Sequence, residues 1–161
     1  MIFLKDFTKL NRAELYLVLM FRNDKKIASF MHTKEISLKT HLEFIENLKN
    51  DKSKKYFLVF DDDEILGVID FVNINKQSCE FGMYQNPYLK GFGTILMKEI
   101  KKYAFENLGL KNLNARVFKD NERALTLYLK HGFKIIKKDE NMIYLSLNGG
   151  GVSLIYERLA S

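Results

Sequence analysis

The stretch 77–98, QSCEFGMYQNPYLKGFGTILMK, predicts a strand, a loop and the start of a helix. Its loop holds the chain's only proline, and Gly91 and Gly93 stand one residue apart just before an amphipathic helix. The first turn of a helix leaves backbone N–H groups unpaired, and the helix dipole adds positive charge there. Because glycine has no Cβ, an anion can approach this backbone closely. The stretch therefore predicts a phosphate-binding loop at a helix N-terminus.

A second segment, 121–133, NERALTLYLKHGF, follows later in the chain. A Gly-x-Gly pair by itself also occurs in plain turns between a strand and a helix. The second segment adds an asparagine suited to cap a helix, apolar residues at helical spacing and a glycine at the helix end. The two segments together indicate a specialised site more strongly than either does alone.

The composition is that of one globular domain. The 161 residues carry a net charge of +6, and the lysines are spread without the continuous basic stripe that binds nucleic acid. There is no apolar run of membrane-spanning length and no secretory signal, so we expect no membrane partner. Cys79 is the only cysteine, which rules out an intrachain disulfide and favours a reducing, cytoplasmic setting. Histidine and cysteine are too few to suggest a metal site.

Apolar periodicity predicts the element order β-α-α-β-β-β-α-β-α-β-β. This is an α/β domain with a central mixed, mostly antiparallel sheet of about seven strands, flanked by about four helices. Asn11 and Ser37 should cap the first two helices, and the strongest helix should cover 93–108. We expect a single domain over 1–148, followed by a tail over 149–161 that is either flexible or derived from a vector.

The element order and the two segments resemble the GNAT superfamily of N-acetyltransferases. The acyl-CoA loop of that superfamily has the pattern Arg/Gln-x-x-Gly-x-Gly/Ala, and 88–93, YLKGFG, follows it except at Tyr88. We expect Lys90 to restore the positive charge lost there. The second segment matches the superfamily pattern Asn-x-x-Ala-x-x-Leu-Tyr-x-Lys-x-Gly-Phe throughout, at Asn121, Ala124, Leu127, Tyr128, Lys130, Gly132 and Phe133. The resemblance implies the GNAT fold.

The same resemblance implies acetyl-CoA as the cosubstrate and a set of residues that bind it. Backbone amides of the glycine loop would hold the diphosphate, and the strand ending near Met83 and Tyr84 would pair with the pantetheine arm. The expected cofactor-binding residues are Met83, Tyr84, Lys90, Gly91, Phe92, Gly93, Thr94, Asn121 and Lys130. The alternative for the loop is a simple turn between strand and helix.

A closer resemblance is to the bacterial acetyltransferases of the pseudaminic acid pathway, which modifies flagellin. The segments that carry it are FRN at 21–23, ISLKTHLEFI at 36–45, KKYFLVF at 54–60, GVIDFVNI at 67–74 and SCEFGMY at 78–84. It implies acetylation of the 4-amino group of UDP-4-amino-4,6-dideoxy-N-acetyl-β-L-altrosamine, a small nucleotide-sugar substrate. Arg22 and Asn23 would then bind the substrate, the alternative being that Arg22 meets the carbonyl groups at a helix end. The oligomeric state stays open, with a homodimer as one alternative.

Tyr128 is the expected catalytic acid. Acyl transfer from a thioester expels a thiolate, whose conjugate thiol has an ordinary pKa of about 8.5, against about 10 for a phenol. Complete proton transfer from an unperturbed tyrosine is therefore uphill by about 2 kcal/mol. We expect Tyr128 to act as a hydrogen-bond donor that transfers its proton late, or as an acid whose pKa is tuned by the site. The alternative is a core tyrosine on an amphipathic helix.

The base is expected on the strand that precedes the glycine loop. Ser78 and Glu80 share a face by two-residue alternation, so Glu80 could take the proton of the amine and Ser78 could hold the amine or a water. The alternative is a glutamate paired with a neighbouring cation. His41, on a helix expected to border the acceptor pocket, is a further candidate, its alternative being a structural histidine. Cys79 falls on the opposite face, which favours direct transfer in a ternary complex over a cysteine nucleophile.

Two other functions stay open at this point. The chain could acetylate a protein N-terminal amine, as ribosomal-protein acetyltransferases of similar layout do. It could also be a non-catalytic acyl-CoA-binding module, although the intact Tyr128 argues against that.

Overall fold

The computed structural model describes residues 1–31 and 35–149. Seven strands form one sheet: β1 Ile2–Asp6, β2 Lys55–Asp61, β3 Glu64–Val72, β4 Ser78–Gln85, β5 Asn112–Phe118, β6 Lys134–Lys138 and β7 Met142–Asn148. The α-helices are α1 Arg12–Asn23, α2 Lys25–Ala28, α3 Leu38–Leu48, α4 Gly93–Lys102 and α5 Glu122–Lys130, with a 3₁₀ turn at Phe7–Lys9. The predicted α/β class is confirmed. The described residues form one α-helix more than the predicted four, because the single turn α2 counts as a helix.

The helix starts follow the side chains that the sequence singled out as caps. The Asn11 side chain accepts a hydrogen bond from the Glu14 backbone N–H, and the Glu14 carboxylate accepts one from the Asn11 backbone N–H, so a complete capping box opens α1. Ser37 caps α3 by accepting from the Thr40 N–H. Each cap satisfies an N–H group that the helix cannot pair itself, which is why local sequence predicts these starts well.

The long helix predicted over 93–108 changes geometry before its end. The regular α4 stops at Lys102 and continues as a wider π-helical turn, Tyr103–Asn107, in which the Leu108 N–H donates to the Tyr103 carbonyl at 2.9 Å. Tyr103 packs there against Phe57 and Phe71, with ring centroids 4.8 and 4.9 Å away. The apolar residues keep the same face through the change, so periodicity in the sequence does not distinguish the two geometries.

The sheet has the order β1-β2-β3-β4-β5-β7-β6, and every neighbouring pair is antiparallel except β4 and β5. Those two parallel strands pair over three positions, from Ser78 opposite Asn112 to Glu80 opposite Asn114. Beyond them the strands no longer pair with each other. We call 78–80 with 112–114 the closed end of the β4–β5 seam, and 81–85 with 115–118 its open end. The predicted mixed, mostly antiparallel sheet is confirmed.

Helices cover both faces of the sheet. On one face Leu96, Met97 and Ile100 of α4 belong to a buried cluster that includes Cys79 and Phe81 of β4. On the other face α1 and α3 bury residues such as Val18 and Ile45 against β2 and β3. Alternation along β4 therefore directs Ser78, Glu80 and Gly82 toward the α1–α3 side.

The C-terminal end of the described chain still belongs to the fold. Gly149 is buried, and its N–H donates to the Lys111 carbonyl oxygen at 2.7 Å. The rest of the predicted tail, 150–161, lies outside the described residues. Within 1–31 and 35–149, no helix is both long and apolar enough to cross a bilayer.

Candidate active site

A cavity of about 860 Å³ lies at the open end of the β4–β5 seam. Both diverging strands line it, β4 with residues 80–85 and β5 with residues 116–118. Helix α5 contributes Ala124, Leu127 and Tyr128, and α2 contributes Lys26 and Ile27. Helices α2 and α5 border the cavity together with the two strands. Two ligands could therefore enter it and meet where β4 and β5 separate.

The predicted site residues divide into two groups by position. Those that line the cavity are Glu80, Met83, Tyr84, Lys90, Asn121 and Tyr128. Those that do not are Arg22, Asn23, His41, Ser78, Gly91, Phe92, Gly93, Thr94 and Lys130.

The glycine loop enters α4 without a side-chain cap. Gly91 has a φ of 86°, which glycine adopts without strain, and Phe92 occupies the N-cap position with no side-chain hydrogen bond to the helix. The Phe92 N–H donates to Gln85 Oε1 at 2.8 Å, which ties the loop to the end of β4. No acceptor among the described residues engages the next N–H groups, those of 93–95. These unpaired donors at a helix N-terminus fit a diphosphate.

The open end of β4 offers a second binding feature. One backbone edge of 81–85 pairs with β3, as in Met83 opposite Ile69 and Gly82 opposite Asp70. The other edge faces the seam, where β5 has stopped pairing with it. An extended ligand with amide groups can pair with such an edge as a further strand would. This edge fits the amides of a pantetheine arm.

Tyr128 points from α5 into the cavity. Its side chain is 5 % exposed and packs on Phe81 and Phe133, with ring centroids 5.1 and 5.9 Å away. The hydroxyl has no hydrogen-bond partner among the described residues, although it borders the cavity. Burial, and after it the charge of Asp70, raises the pKa of Tyr128 well above its ordinary value. The phenol therefore stays protonated at neutral pH and available as a hydrogen-bond donor.

Glu80 is held by a cation across the seam. Arg116 Nε of β5 lies 2.6 Å from Glu80 Oε1, and both residues line the cavity. A proton arriving at Glu80 would compete with this charge-assisted hydrogen bond. The geometry thus realises the ion-paired alternative, and the role of Glu80 as base stays a prediction.

Ser78 lies at the closed end of the seam. Its N–H donates to Asn75 Oδ1 at 3.0 Å, and its Oγ accepts from Asn75 Nδ2 at 3.5 Å. These contacts fix the turn that leads into β4. The structure does not bring Ser78 to the cavity, because Ser78 begins β4, two residues before the part of the strand that lines the cavity.

His41 and Asn23 are engaged by backbone groups. His41 is 2 % exposed, its Nε2 donates to the Leu15 carbonyl oxygen at 2.9 Å, and burial lowers its pKa. Asn23 makes two hydrogen bonds to the backbone of Ile36, at 2.8 and 2.9 Å. Both side chains thereby tie α1 to α3 and the segment before it. Their substrate-binding roles stay predictions, and the geometry favours the structural alternative.

The two remaining basic residues differ in position. Arg22 is half-buried beside Tyr84 and Tyr56, and burial lowers its pKa. Since Tyr84 lines the cavity, Arg22 lies one residue behind the cavity wall. Lys130 is exposed in the last turn of α5, where its charge suits the helix dipole.

Asp70, which the sequence reasoning passed over, lines the cavity at the open end. On β3 it lies between Tyr56 of β2 and Gly82 of β4, each directly opposite in register. Burial, and then the charge of Glu80, raises the pKa of Asp70 to about 7, partly offset by the Gly82 N–H. The available signal was a lone carboxylate in an otherwise apolar strand, GVIDFV.

Nucleophilic attack by a cysteine is disfavoured. Cys79 is buried on the α4 side, and burial raises the pKa of its thiol to about 12, so no thiolate nucleophile forms at neutral pH. No group of three metal-ligating side chains occurs within the described ranges.

Comparisons with known proteins identify the family of this chain. The family model described as the acetyltransferase (GNAT) domain matches residues 2–134. Acetyltransferase PseH of Campylobacter jejuni is 54% identical over 147 residues, which cover 91% of this chain and 94% of the relative. The spermidine N(1)-acetyltransferase of Escherichia coli is 34% identical over 104 residues, 62% of this chain and 55% of that protein.

Solved structures match over nearly the whole chain. The crystal structure of Campylobacter jejuni N-acetyltransferase PseH in complex with acetyl coenzyme A has a TM-score of 0.81 and 49% identity, covering 92% of this chain and 99% of that one. Spermidine N-acetyltransferase from Vibrio cholerae, with a TM-score of 0.83 and 21% identity over 92% and 96% of the chains, shares the fold.

These matches confirm the resemblance to the GNAT superfamily and, within it, to the acetyltransferases of the pseudaminic acid pathway. They also confirm the predicted cosubstrate. The chain thus belongs to the GNAT family and is an acetyl-CoA-dependent N-acetyltransferase.

Proposed function

We propose that this enzyme acetylates the 4-amino group of a UDP-linked amino sugar in pseudaminic acid biosynthesis, by direct transfer in a ternary complex. The observation that carries the proposal is the cavity at the open end of the seam, lined by polar groups of β3 and β4 and by Tyr128 of α5. The identity of 54% to PseH supports the acceptor class. The enzyme would work in the cytoplasm.

The cosubstrate would lie along the open edge of β4, with its diphosphate at the N-terminus of α4. The unpaired amides of 93–95 and the side chain of Lys90 would hold the diphosphate. The backbone at Met83 and Tyr84 would pair with the pantetheine arm. When bound, acetyl-CoA supplies an activated thioester whose carbonyl carbon accepts the amine.

Tyr128 would then face the sulfur of the thioester. Its raised pKa keeps the proton on the phenol, so the hydroxyl would donate a hydrogen bond to the sulfur as the C–S bond breaks. Asn121, which lines the cavity and caps α5, would hold that helix in place and contact the cosubstrate.

The acceptor would enter from the α1–α3 side of the sheet. Asp70, Glu80 and Tyr84 face that side of the cavity, and α2 adds Ile27. With Cys79 buried on the opposite face, the amine would attack the thioester directly, without a covalent enzyme intermediate.

The test measures acetyl-CoA turnover with three acceptors, using the release of the free thiol of CoA as the readout. The acceptors are the UDP-linked 4-amino sugar, a peptide with a free N-terminal amine, and the same sugar already acetylated at nitrogen as the control. We expect thiol release with the first acceptor alone. Turnover of the peptide alone would replace the sugar by a protein amine as the acceptor. Tight binding of acetyl-CoA without turnover of either amine would instead indicate a non-catalytic module.

A further inference from the structure

We propose that Asp70 is the general base that takes the proton from the acceptor amine. The inference rests on the proposed function for the identity of the amine, but its geometry comes from the cross-strand register. Asp70 lines the same cavity as Tyr128 and Glu80, on the face of the sheet from which the acceptor would enter.

The carboxylate of Asp70 leans over Gly82 toward the seam. A Cβ built at position 82 would lie 2.6 Å from Asp70 Oδ2 and 3.1 Å from Oδ1, so only glycine leaves room for the carboxylate there. Gly82 belongs to the open end, where the far edge of β4 is unpaired. The absence of one side chain therefore lets the carboxylate lie over β4 at the open end, where the two ligands would meet.

The surroundings of Asp70 leave its carboxylate without a counterion. No cation among the described residues lies within ion-pair distance of it. The titratable groups that face it are Tyr56 on β2, Glu80 and Tyr84 on β4, and Tyr128 on α5, with Cys79 on the far face of β4 and Arg22 on α1 beyond the tyrosines. Glu80, by contrast, is held by Arg116. Of the two carboxylates that β3 and β4 bring to the cavity, Asp70 is the one that no cation of the described residues holds.

The basicity of this carboxylate suits the task. Burial and the charge of Glu80 raise the pKa of Asp70 to about 7, close to the working pH at which a general base is most effective. An amine has an ordinary pKa of about 8, near that of an α-amino group. Proton transfer from the ammonium form to Asp70 is therefore nearly balanced and not steeply uphill.

The step balances in atoms and electrons. One N–H bond of the ammonium breaks, its proton goes to an oxygen of Asp70, and the freed lone pair forms the C–N bond to the acetyl carbon. As the C–N bond forms, the carbonyl π pair moves to oxygen; it then re-forms the carbonyl while the C–S bond breaks and leaves its electron pair on sulfur. Tyr128 gives its proton to sulfur, and the second proton, which leaves the nitrogen as the amide forms, returns through solvent in the cavity to the Tyr128 oxygen. The proton on Asp70 passes to solvent through the cavity mouth.

The main test compares wild type with Asp70→Asn over pH 6 to 9, measured as kcat/KM for the UDP-amino sugar. At pH 7 we expect kcat/KM of the variant to be about 100-fold lower than that of wild type, which is typical for loss of a general base. At pH 9, where the amine is largely neutral without help, we expect the loss to shrink to about tenfold or less. Asp63→Asn, in the exposed turn between β2 and β3, is the matched control, and we expect it to follow wild type.

Three results would overturn the proposal. One is a loss in Asp70→Asn that is the same at every pH, which would indicate a structural role. Another is unchanged kcat/KM at pH 7. Should Asp70→Asn fail to fold or to bind acetyl-CoA by calorimetry, carbon-13 NMR of aspartate-labelled wild type decides instead. The NMR spectrum must then contain one carboxyl that titrates near pH 7, and its absence would also reject the base.

The failure of the proposed function is distinguishable from this. If wild type acetylates a peptide amine and not the sugar, the acceptor assignment fails, and the same pH series on the peptide still tests Asp70. If wild type acetylates no amine, both proposals fail together.

Discussion

The two ends of the β4–β5 seam are built from the same pair of strands but have opposite characters. At the closed end three residue pairs hold the strands together, and the Glu80–Arg116 ion pair lies just beyond them, at 2.6 Å. At the open end the strands separate and no longer share hydrogen bonds, and a cavity of about 860 Å³ lies between them. Backbone groups satisfied by a neighbour at one end are left for a ligand at the other.

The difference shows that the contacts a polar side chain makes within the fold, more than its residue type, decide whether it is available for chemistry. Ser78 and Glu80 share a strand face with Gly82, yet Ser78 is fixed by Asn75 and Glu80 by Arg116. Asp70, one strand away, reaches the open end because its partner in register is a glycine.

The largest effect is expected from Tyr128→Phe, which removes the donor at the open end. We expect kcat to fall about 100-fold, or about 2.7 kcal/mol, because the leaving sulfur loses its hydrogen bond. The affinity for acetyl-CoA, measured by calorimetry, should stay within about twofold. The control is Tyr103→Phe, which alters a tyrosine in the π-helical turn that does not line the cavity. An unchanged kcat in Tyr128→Phe would exclude the acid role.

A smaller effect is expected in the stability of Asp70→Asn, and it depends on pH. The folded-state pKa is raised to about 7 from an unfolded value of 3.8, so between these pH values the folded state binds more protons than the unfolded state. Stability linked to Asp70 is therefore complete below about pH 4 and is lost as pH rises through 7. The side chain introduced in Asp70→Asn cannot ionise. We therefore expect the stability of this variant to rise relative to that of wild type as the pH increases from about 4 to about 7.

The change in the pKa of Asp70 from 3.8 to about 7 corresponds to about 4 kcal/mol in the free energy of unfolding. Contact of the carboxylate with water in the cavity reduces this to about 2 kcal/mol. Urea unfolding at pH 5 and pH 8 measures the difference between the two proteins. A gain that does not grow with pH would contradict the raised pKa.

The smallest effect is expected at the closed end. Glu80→Gln should lower kcat/KM only a few-fold, because Asp70 and not Glu80 takes the proton. It should shift the pH dependence to slightly lower pH, because the charge that helps to raise the pKa of Asp70 is removed. In a double-mutant cycle with Arg116→Gln, unfolding should give a coupling of about 0.5–1 kcal/mol, since the pair is partly exposed. A loss of about 100-fold at pH 7 in Glu80→Gln, with wild-type kcat/KM in Asp70→Asn, would transfer the base role to Glu80.

Local sequence predicted those features that depend on neighbours in the chain. The capping box at Asn11 and the cap at Ser37 are confirmed, since a cap and its target N–H lie within three residues. The same locality explains why the glycine loop between a strand and a helix, expected from the sequence, is found between β4 and α4. The family pattern around Tyr128 fixed the superfamily, although no local signal indicated that the long helix would widen at Tyr103.

By itself, then, the sequence determined the fold class, the family and the loop that fits a diphosphate, because each depends on short motifs and their periodicity. Only the tertiary structure decided that Asn23 and His41 hydrogen-bond to backbone groups of Ile36 and Leu15, and that Ser78 lies away from the cavity. It alone placed Asp70 opposite Gly82 and Glu80 beside Arg116. These contacts join residues on different strands, whose register is fixed by long-range hydrogen bonds that no local pattern encodes.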